Sequence, residues 1–539
     1  MALPYLRNFI AKSERPVGAF GGLNQNVTAG EGEFADMKNM SSRHFPAAAT
    51  RQARGALVNR SIATPYGLFF KNGCLYVASG TPNAIGYYKA DGESTFTGVI
   101  NLQNNEKQIV GLGAYIVFFP DQKYYSTADG SVATLGSTFG QPVGVSATFA
   151  PLTEGSVYTK ITVTGIGEKF NQYDAVTISG CTVDPQFNAT KVITEKGTNY
   201  IVVTGKIDET LTQASGLSFR RKVPSMDFVC ERDARIFGCS SENHEVYACK
   251  PGDPTNWYNI EGISTDSWAA TVGSDGEFTG VCAYSNYVLF WKENCVHILR
   301  GDKPSNFSLM ERALPGVRKG CDRSLEVVND TLYYVGRNGV YAFDGASPMK
   351  VSDNITGEIT QAVASQQDGK YYLSCLLDSV QTLLVYDTKN HLWHKEDDTR
   401  FKFAQYADGE LHFIDGNNKL TTITGNREET IDWFLESGDI TEGSLSQKYI
   451  GRLKFRLWMA LDSIAIVYAK YDDSAEWERV ITIRSTKDQT YPVHIIPRRC
   501  HKYRWRIEGH GQMKLMGMSR EVEGGSEYAH GHFSFGYRQ

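Results

Sequence analysis

A short unit recurs along the chain and limits the fold more than any other feature. In each copy, a tight turn joins two short runs rich in Val, Tyr, Leu and Phe. The pattern is clearest between Ser324 and Thr424, where the turns are Asn329-Asp330, Asp368-Gly369 and Asp408-Gly409. Turn residues of this kind between apolar runs are the signature of a β-hairpin. The region is therefore predicted to consist of successive β-hairpins.

The same unit can be traced towards the N-terminus. Its turns there are Asn72-Gly73, Gly113-Ala114, Asp233-Ala234 and Ser285-Asn286. We count about seven copies at a spacing of roughly 40–50 residues, interrupted once, which is typical of a repeat of four short strands. The sequence thus predicts an all-β fold built on a β-propeller of about six to seven blades.

Two regions depart from the repeat. Residues 140–222 contain alternating strands with Thr and Ser on one side, which predicts a small β-sandwich-like domain inserted between the second and third blades. Residues 431–539 alternate apolar with charged residues and predict a C-terminal β-sandwich followed by a tail. The expected divisions are an N-terminal arm (1–60), the first part of the propeller (61–139), the insertion (140–222), the second part of the propeller (223–430), and the sandwich with its tail (431–539).

Composition agrees with this class and restricts the partners. A chain of 539 residues with 52 Gly, 29 Tyr and 27 Phe is expected to form an all-β protein of more than one domain. The formal charge of −5 argues against a surface that grips nucleic acid by neutralising phosphates. It leaves open a mildly acidic channel through which DNA passes without adhering.

The sequence also gives expectations about compartment. No apolar run is long enough to span a bilayer, and the first residues lack the core of a signal peptide, so we expect synthesis in a cytoplasm. The ten cysteines are scattered without a CxxC pair. This dispersion favours reduced, packed thiols over a disulfide framework or a zinc site.

The N-terminal segment is rich in turns and suits an arm that lies along the folded body. It contains Gly21-Gly22-Leu23-Asn24, Gly30-Glu31, and Asp36-Met37-Lys38-Asn39-Met40-Ser41, followed by Pro46, Arg51 and Arg54. This opening, ahead of a predicted propeller, resembles the tail hub or nozzle proteins of tailed bacteriophages, also called packaged-DNA stabilization proteins. The resemblance extends over the arm, the propeller spacing and the C-terminal domain.

The resemblance implies a structural protein of the virion tail that is not an enzyme. Its copies would form a ring, expected to be a hexamer, below the portal and its head-tail adaptor and beside other tail proteins. The ring would retain packaged double-stranded DNA and conduct it during ejection, without reading its sequence. The alternative is a propeller at a phage tail tip or cell surface that binds or cleaves carbohydrate.

The sequence identifies no catalytic, cofactor-binding or metal-binding residues. Motifs of serine hydrolases, zinc proteases and nucleotide-binding loops are missing. Asp344, Asp387 and Asp415 could serve a glycosidase, but their recurrence just after a strand favours a role in turns. The histidines near Cys500 are irregularly spaced and favour a flexible end over a metal site; they are His501, His510, His530 and His532.

Two other segments have competing interpretations. The turn from Lys250 to Tyr258 could be a sugar-binding corner, although an aromatic residue that closes a blade turn is commoner. The most basic run extends from Pro497 to Arg506 and could contact an acidic partner or DNA phosphate, although most charge runs are solvated faces. The resemblance favours subunit contact, and the candidate interface residues are Arg498, Arg499, Lys502, Arg504 and Arg506.

Overall fold

The computed structural model describes residues 13–27, 29–55, 62–80, 83–89, 94–426, 428, 430–443, 445–484 and 487–524. Within these residues the chain is all β, and its helical segments are five single 3-10 turns. The turns span Ser42–His44, Ile166–Glu168, Pro185–Phe187, Pro304–Asn306 and Asp322–Ser324. The described part contains no helix with the length and apolar character needed to cross a membrane.

The chain begins with five short strands that precede the propeller. They are β1 Ser13–Val17, β2 Gly22–Leu23, β3 Glu33–Lys38, β4 Met40–Ser41 and β5 Ala48–Thr50.

Six four-stranded antiparallel sheets and one three-stranded sheet then form the propeller in the described residues. Sheet 1 contains β6 Pro65–Lys71, β7 Cys74–Gly80, β8 Asn83–Lys89 and β9 Ser94–Val99. Sheet 2 contains β10 Gln108–Leu112, β11 Tyr115–Phe119, β12 Lys123–Ser126 and β13 Val132–Thr134.

An eight-stranded sheet separates sheets 2 and 3. Its strands are β14 Ser137–Gly140, β15 Ala147–Pro151, β16 Tyr158–Thr162, β17 Ala175–Ser179, β18 Thr190–Gly197, β19 Tyr200–Thr204, β20 Leu211–Gln213 and β21 Ser218–Arg221.

Sheet 3 contains β22 Phe228–Arg232, β23 Arg235–Ser240, β24 Glu245–Ala248 and β25 Trp268–Thr271. Sheet 4 contains β26 Gly280–Tyr284, β27 Tyr287–Trp291, β28 Cys295–Arg300 and β29 Ser308–Ala313. Sheet 5 contains β30 Glu326–Val328, β31 Thr331–Gly336, β32 Gly339–Phe343 and β33 Met349–Lys350. Sheet 6 contains β34 Ile359–Gln367, β35 Lys370–Leu377, β36 Val380–Asp387 and β37 Leu392–Lys395. Sheet 7 contains β38 Phe401–Ala407, β39 Glu410–Asp415 and β40 Leu420–Thr422.

The sandwich strands that follow the propeller are β41 Asp432–Ser437, β42 Lys448–Met459, β43 Ile464–Tyr471, β44 Glu478–Ile483, β45 Gln489–His494, β46 Arg499–Cys500, β47 Tyr503–His510 and β48 Met513–Gly524.

The seven sheets close into a ring through their first strands. First strands contact each other between sheets 1 and 2, 2 and 3, 3 and 4, 5 and 6, and 6 and 7, and β38 of sheet 7 contacts β6 of sheet 1. Sheets 4 and 5 are joined through the 3-10 turn at Asp322–Ser324, which contacts β26 and β31. Apolar side chains fill every space between neighbours, and one such cluster joins Leu68 and Val77 to Ile414 and Leu420 across the closing pair. The predicted all-β propeller class is confirmed.

The tight turns explain why the repeat is visible in the sequence. Each predicted turn joins the first two strands of its sheet. At Asn329 and Asp330, φ is 48° and 62°, and at Asp368 and Gly369 it is 51° and 69°. A hairpin turn with two positive φ angles favours Asn, Asp and Gly, so the backbone geometry accounts for the residue pattern.

The insertion is one continuous sheet, whereas the sequence predicted a small sandwich. Its strand order is β14-β21-β17-β18-β19-β16-β15-β20, and it encloses a hydrophobic core of its own. The long strand β18 pairs with β17 on one side and with β19 on the other, and its register shifts between Ile193 and Glu195. Such a bulge bends a strand, which lets one sheet curl over its own core.

The N-terminal segment is not an arm that lies along the body, because its strands belong to both sheets of the sandwich. β1 pairs with β48, and β3 pairs with β41. One sheet has the order β4-β5-β48-β42-β45, with β1 and β46 attached to β48 and β42, and the other has the order β2-β3-β41-β47-β43-β44. The sandwich is therefore built from segments on both sides of the propeller in the sequence.

Candidate functional sites

The basic run lies on the solvent side of a sandwich sheet. Arg504 and Arg506 alternate along β47 with Trp505 and Ile507, which are 3% and 0% exposed. Because successive side chains of a strand point to opposite faces, the two arginines share the outer face. The sequence prediction of one buried face and one charged face is confirmed for this strand.

All five candidate interface residues have partners within the sandwich. Arg504 bonds Asp439 and lies 3.4 Å from Glu436, and Arg506 lies 2.9 Å from Glu508. Lys502 Nζ lies 3.0 Å from Asp439 and 3.1 Å from Asp473. Arg498 pairs with Glu478, and Arg499 Nε donates to the Tyr449 hydroxyl at 2.6 Å.

These pairs leave a surface of balanced charge. Burial favours the neutral form of Asp439, but hydrogen bonds from Arg504 and Lys502 outweigh it and lower the pKa of Asp439. Burial raises the pKa of Glu436, although Arg506 and Arg504 oppose that shift. Cations already paired with carboxylates have little capacity to neutralise phosphates, so this surface, hereafter the charged face, suits contact with a protein of mixed charge.

The aspartates weighed as glycosidase carboxylates accept hydrogen bonds from turn backbones. Asp344 Oδ1 accepts from the amide of Ala346 at 2.9 Å, and Asp387 Oδ1 from the amide of Lys389 at 3.1 Å. Asp415 Oδ1 accepts from the amide of Asn417 at 2.8 Å. A side chain that accepts from the backbone two residues ahead stabilises a turn, as the recurrence predicted.

The sequence had suggested that the three aspartates occupy equivalent positions, but in the structure they do not. Asp344 and Asp387 follow or end the third strands of their sheets, whereas Asp415 ends the second strand of sheet 7. Second and third strands of a meander run in opposite directions, so Asp415 lies at the other end of the propeller. The three carboxylates do not converge on one site.

The segment Lys250–Tyr258 forms a buried turn next to the insertion. Trp257 is 1% exposed, and its indole N–H donates to the carbonyl of Pro254 at 2.8 Å. Its ring packs edge-on against Phe119 at 6.4 Å between centroids. The Trp257 ring is therefore covered and offers no face on which a sugar could stack, in agreement with the structural interpretation.

The histidines and cysteines are dispersed. Within the described residues no group of three or more His, Cys, Asp or Glu side chains is arranged to hold a metal ion. His501 Nδ1 lies 3.1 Å from the Leu445 carbonyl, and Cys500 is buried. His530 and His532 lie outside the described residues. The ten cysteines are free thiols.

Arg51 and Arg54 form a buried ionic cluster that sequence reasoning did not identify as a cluster. Arg51 lies 2.6 Å from Glu428 and 3.2 Å from Asp397, while Arg54 lies 2.9 Å from Glu396 and 2.8 Å from Asp397. The side chains of both arginines are less than a tenth exposed. The cluster, hereafter the joint, ties the N-terminal segment to sheets 6 and 7.

The electrostatics of the joint are those of a tightly coupled group. Burial raises the pKa of Glu396, which lies in the protein interior. Burial opposes ionisation of Asp397 too, but Arg54 and Arg51 outweigh it and lower its pKa. For Arg51, burial favours the neutral form, and the hydrogen bond with Glu428 and the nearby carboxylates raise the pKa. Such a group binds the two parts of the chain firmly as long as every partner is present.

Other residues of the N-terminal motif also have structural roles. A Cβ on Gly22, where φ is +80°, would lie 2.3 Å from the carbonyl oxygen of Trp393 in sheet 6. Asn24 donates to Glu33 at 2.7 Å, and Leu23 is fully buried. The motif therefore encodes the contact between the sandwich and the propeller.

Comparison with known proteins does not assign the chain to a family. No known family and no curated protein sequence matches the chain. Among solved structures, BamB from Moraxella catarrhalis is 11% identical, with 71% of this chain and 99% of its own covered, at a TM-score of 0.35. Streptogramin B lyase is 10% identical, with 69% of this chain and 96% of its own covered, at a TM-score of 0.29. The WD40 domain of Pan2 from Neurospora crassa is 9% identical, with 61% of this chain and 87% of its own covered, at a TM-score of 0.25. Similarities at this level carry no functional information.

Proposed function

We propose that this chain is a structural protein of a tailed-phage virion, the subunit of the tail hub or nozzle ring. The observation that carries the proposal is the joint. The segment whose motif resembles that family supplies strands to both sandwich sheets and the buried arginines Arg51 and Arg54. Because the motif joins two domains, substitutions within it would break the joint rather than alter a surface. A resemblance in this motif therefore supports the same domain architecture in this chain and in that family.

The proposed role is mechanical. Copies of the chain, expected to number six, form a ring below the portal and its adaptor in the virion tail. The ring retains the packaged DNA and conducts it during ejection. A head-to-tail interface yields such a ring when its rotation closes. Because the sandwich and the propeller share one hydrophobic core, a contact made by one of them fixes the orientation of the other.

The charged face is the proposed lateral contact. Its arginines and carboxylates alternate in sign over β41 and β47, so a neighbouring copy can be held in register by opposite charges. The DNA in the channel is not read, and a chain of net charge −5 has no overall excess of cations with which to hold phosphates.

The decisive experiment is native mass measurement with negative-stain imaging of the purified chain at low and high concentration. We expect a closed ring with a channel wide enough for duplex DNA, formed by the chain alone or on addition of the adaptor. The double variant Arg504→Glu/Arg506→Glu should lose the ring, while Arg337→Glu, at an exposed turn of sheet 5, should keep it.

Two results would refute the proposal. One is a monomer at every concentration, with and without the adaptor. The other is cleavage of any glycan, or specific binding of an uncharged glycan on an array, since a hub should do neither and the carbohydrate alternative should.

A further inference from the structure

A cavity of about 520 Å³ opens at one mouth of the propeller channel. It lies where the first strands of sheets 1, 6 and 7 begin and where the chain enters sheets 2 and 5. Its volume falls in the range of pockets that hold small ligands. Five sheets contribute to its wall, so its shape is set by the closed ring and not by one loop.

Cations outnumber free carboxylates in this cavity. Of its two acidic residues, Glu106 lies 2.8 Å from Arg323, and Asp322 accepts from the side-chain amide of Gln108 at 3.0 Å. Arg323 also makes a cation–π contact, because its guanidinium lies 4.5 Å from the centre of the Phe403 ring. The Gln108 amide is neutral and leaves Asp322 without a cationic partner, so three basic and two acidic side chains give the mouth one net positive charge.

Two cations remain without an anionic partner among the described residues. Lys402 Nζ donates to the neutral side chain of Asn418 at 2.6 Å. Arg400 is exposed and has no hydrogen bond or ion pair with any described side chain. In a chain of net charge −5, this mouth is a local site of positive charge.

Strand β34 is distorted where it lines the cavity, and a polar side chain lies at the distortion. The pairing of β34 with β35 shifts register between Thr360 and Val363, and Gln361 within the bulge has φ of 49°. Gln361 is exposed and lines the cavity, whereas Ala362 next to it and Ile359 two residues before it are buried. Bulges re-aim side chains in this way next to binding sites.

We propose that this cavity, hereafter the mouth site, binds a small oxyanion ligand of about the size of a hexose carrying one phosphate or carboxylate. Arg400 and Lys402 bind the charged group, because guanidinium and ammonium groups form charge-assisted hydrogen bonds with such oxygens. The amides of Gln361 and Asn105 face the hydroxyl groups. The mouth site is independent of the proposed ring of subunits, since all of its residues belong to one chain.

The test is isothermal titration of the full chain with four probes: inorganic phosphate, glucose 6-phosphate, glucuronate and glucose. We expect binding of the anions with Kd of about 1 mM or tighter and none of glucose at that level. Comparison of glucose 6-phosphate with glucuronate identifies which anionic group the mouth site prefers.

Variants locate the binding. Arg400→Gln and Lys402→Gln should each weaken the preferred anion about tenfold or more, because each removes a charge-assisted hydrogen bond. The matched control Arg337→Gln removes an exposed cation elsewhere on the propeller and should bind as the parent does. Circular dichroism and melting temperature of each variant check that the fold is retained. The proposal is overturned if no anion binds, if glucose binds equally, or if both mouth variants bind like the control.

Discussion

Gly55 and Thr422 exchange two backbone hydrogen bonds, with N–O distances of 3.2 and 3.4 Å. Gly55 precedes the propeller and Thr422 ends the last strand of sheet 7, so this antiparallel bridge places the N-terminal segment beside β40. Sheet 7 has three strands of its own where the other six sheets have four. The bridge adds a single residue pair beside β40 and fastens the segment that leads into sheet 1 to the last sheet of the ring.

Replacing Gly55 with Ala should open this fastening. The added Cβ would lie 2.4 Å from Thr422 Oγ1 and 2.6 Å from the carbonyl oxygen of Thr424, which is closer than such atoms approach. We expect a loss of about 1–3 kcal/mol in the free energy of unfolding, measured with urea. The control Gly273→Ala has open space around its Cβ and should change little. Equal effects of the two variants would mean that the bridge does not support closure.

Breaking the joint should lower the free energy of unfolding by more than the Gly55→Ala substitution does. Arg54→Met leaves Glu396 and Asp397 buried with half of their compensation, and we expect a loss of about 3–5 kcal/mol in urea unfolding. Adding Glu396→Gln should restore part of it, since the second change removes one uncompensated charge. The pair of Arg318 with Glu358, whose side chains are 20% and 64% exposed, provides the comparison, and Arg318→Met should cost about 1 kcal/mol or less. A small effect of Arg54→Met would mean that the sandwich is held by apolar contacts alone.

Glu326 should make stability depend on pH. It lies on β30, the first strand of sheet 5, without a hydrogen-bond partner among the described residues, and burial raises its pKa from 4.5 to about 8. Between these values the folded state keeps a proton that the unfolded chain releases, so its contribution to stability falls by about 1.4 kcal/mol per pH unit.

The variant Glu326→Gln should therefore match the parent near pH 4 and become progressively more stable than the parent up to pH 8. Urea unfolding at successive pH values measures the difference. Stability curves that run parallel across this range would show that Glu326 ionises at its ordinary pKa in the folded protein.

The insertion can be removed at a defined point. Gly140 of β14 pairs with Ser218 of β21, so a two-residue turn can join them in place of the residues between. Arg221→Gln should accompany the deletion, because its buried partner Asp174 is lost. We expect a folded propeller by melting and impaired ring assembly by native mass. A ring of unchanged size and stability would remove the insertion from the proposed assembly.

Local features were predictable and distant pairings were not. The hairpins could be located because positive φ angles at Asn329 and Asp330 restrict the residues that fit. The strands β2 and β4 have two residues each, too short for any alternation to be recognised, and their sheets are completed by strands that follow the propeller. Nothing in a local pattern specifies such a partner.

The candidate sites, too, could be predicted from the sequence only where they depend on neighbouring residues in the chain. The basic run was visible as a sequence of cations, but its neutralisation by Glu436 and Asp439 depends on a neighbouring strand. The mouth site combines Arg400 and Lys402 of one repeat with Gln361 of the preceding one. Each of these residues looks like an ordinary surface residue until the ring brings them together.

The two-sided origin of the sandwich also sets an order of events on the ribosome. β1 and β3 leave the exit tunnel early, yet their partners β48 and β41 are translated only after the whole propeller. At bacterial or eukaryotic elongation rates, β3 waits roughly 20–80 s for β41. The nascent propeller can form its sheets during that interval, while β1 and β3 still lack their partners β48 and β41. The sandwich can therefore be completed only after the whole propeller has been synthesised.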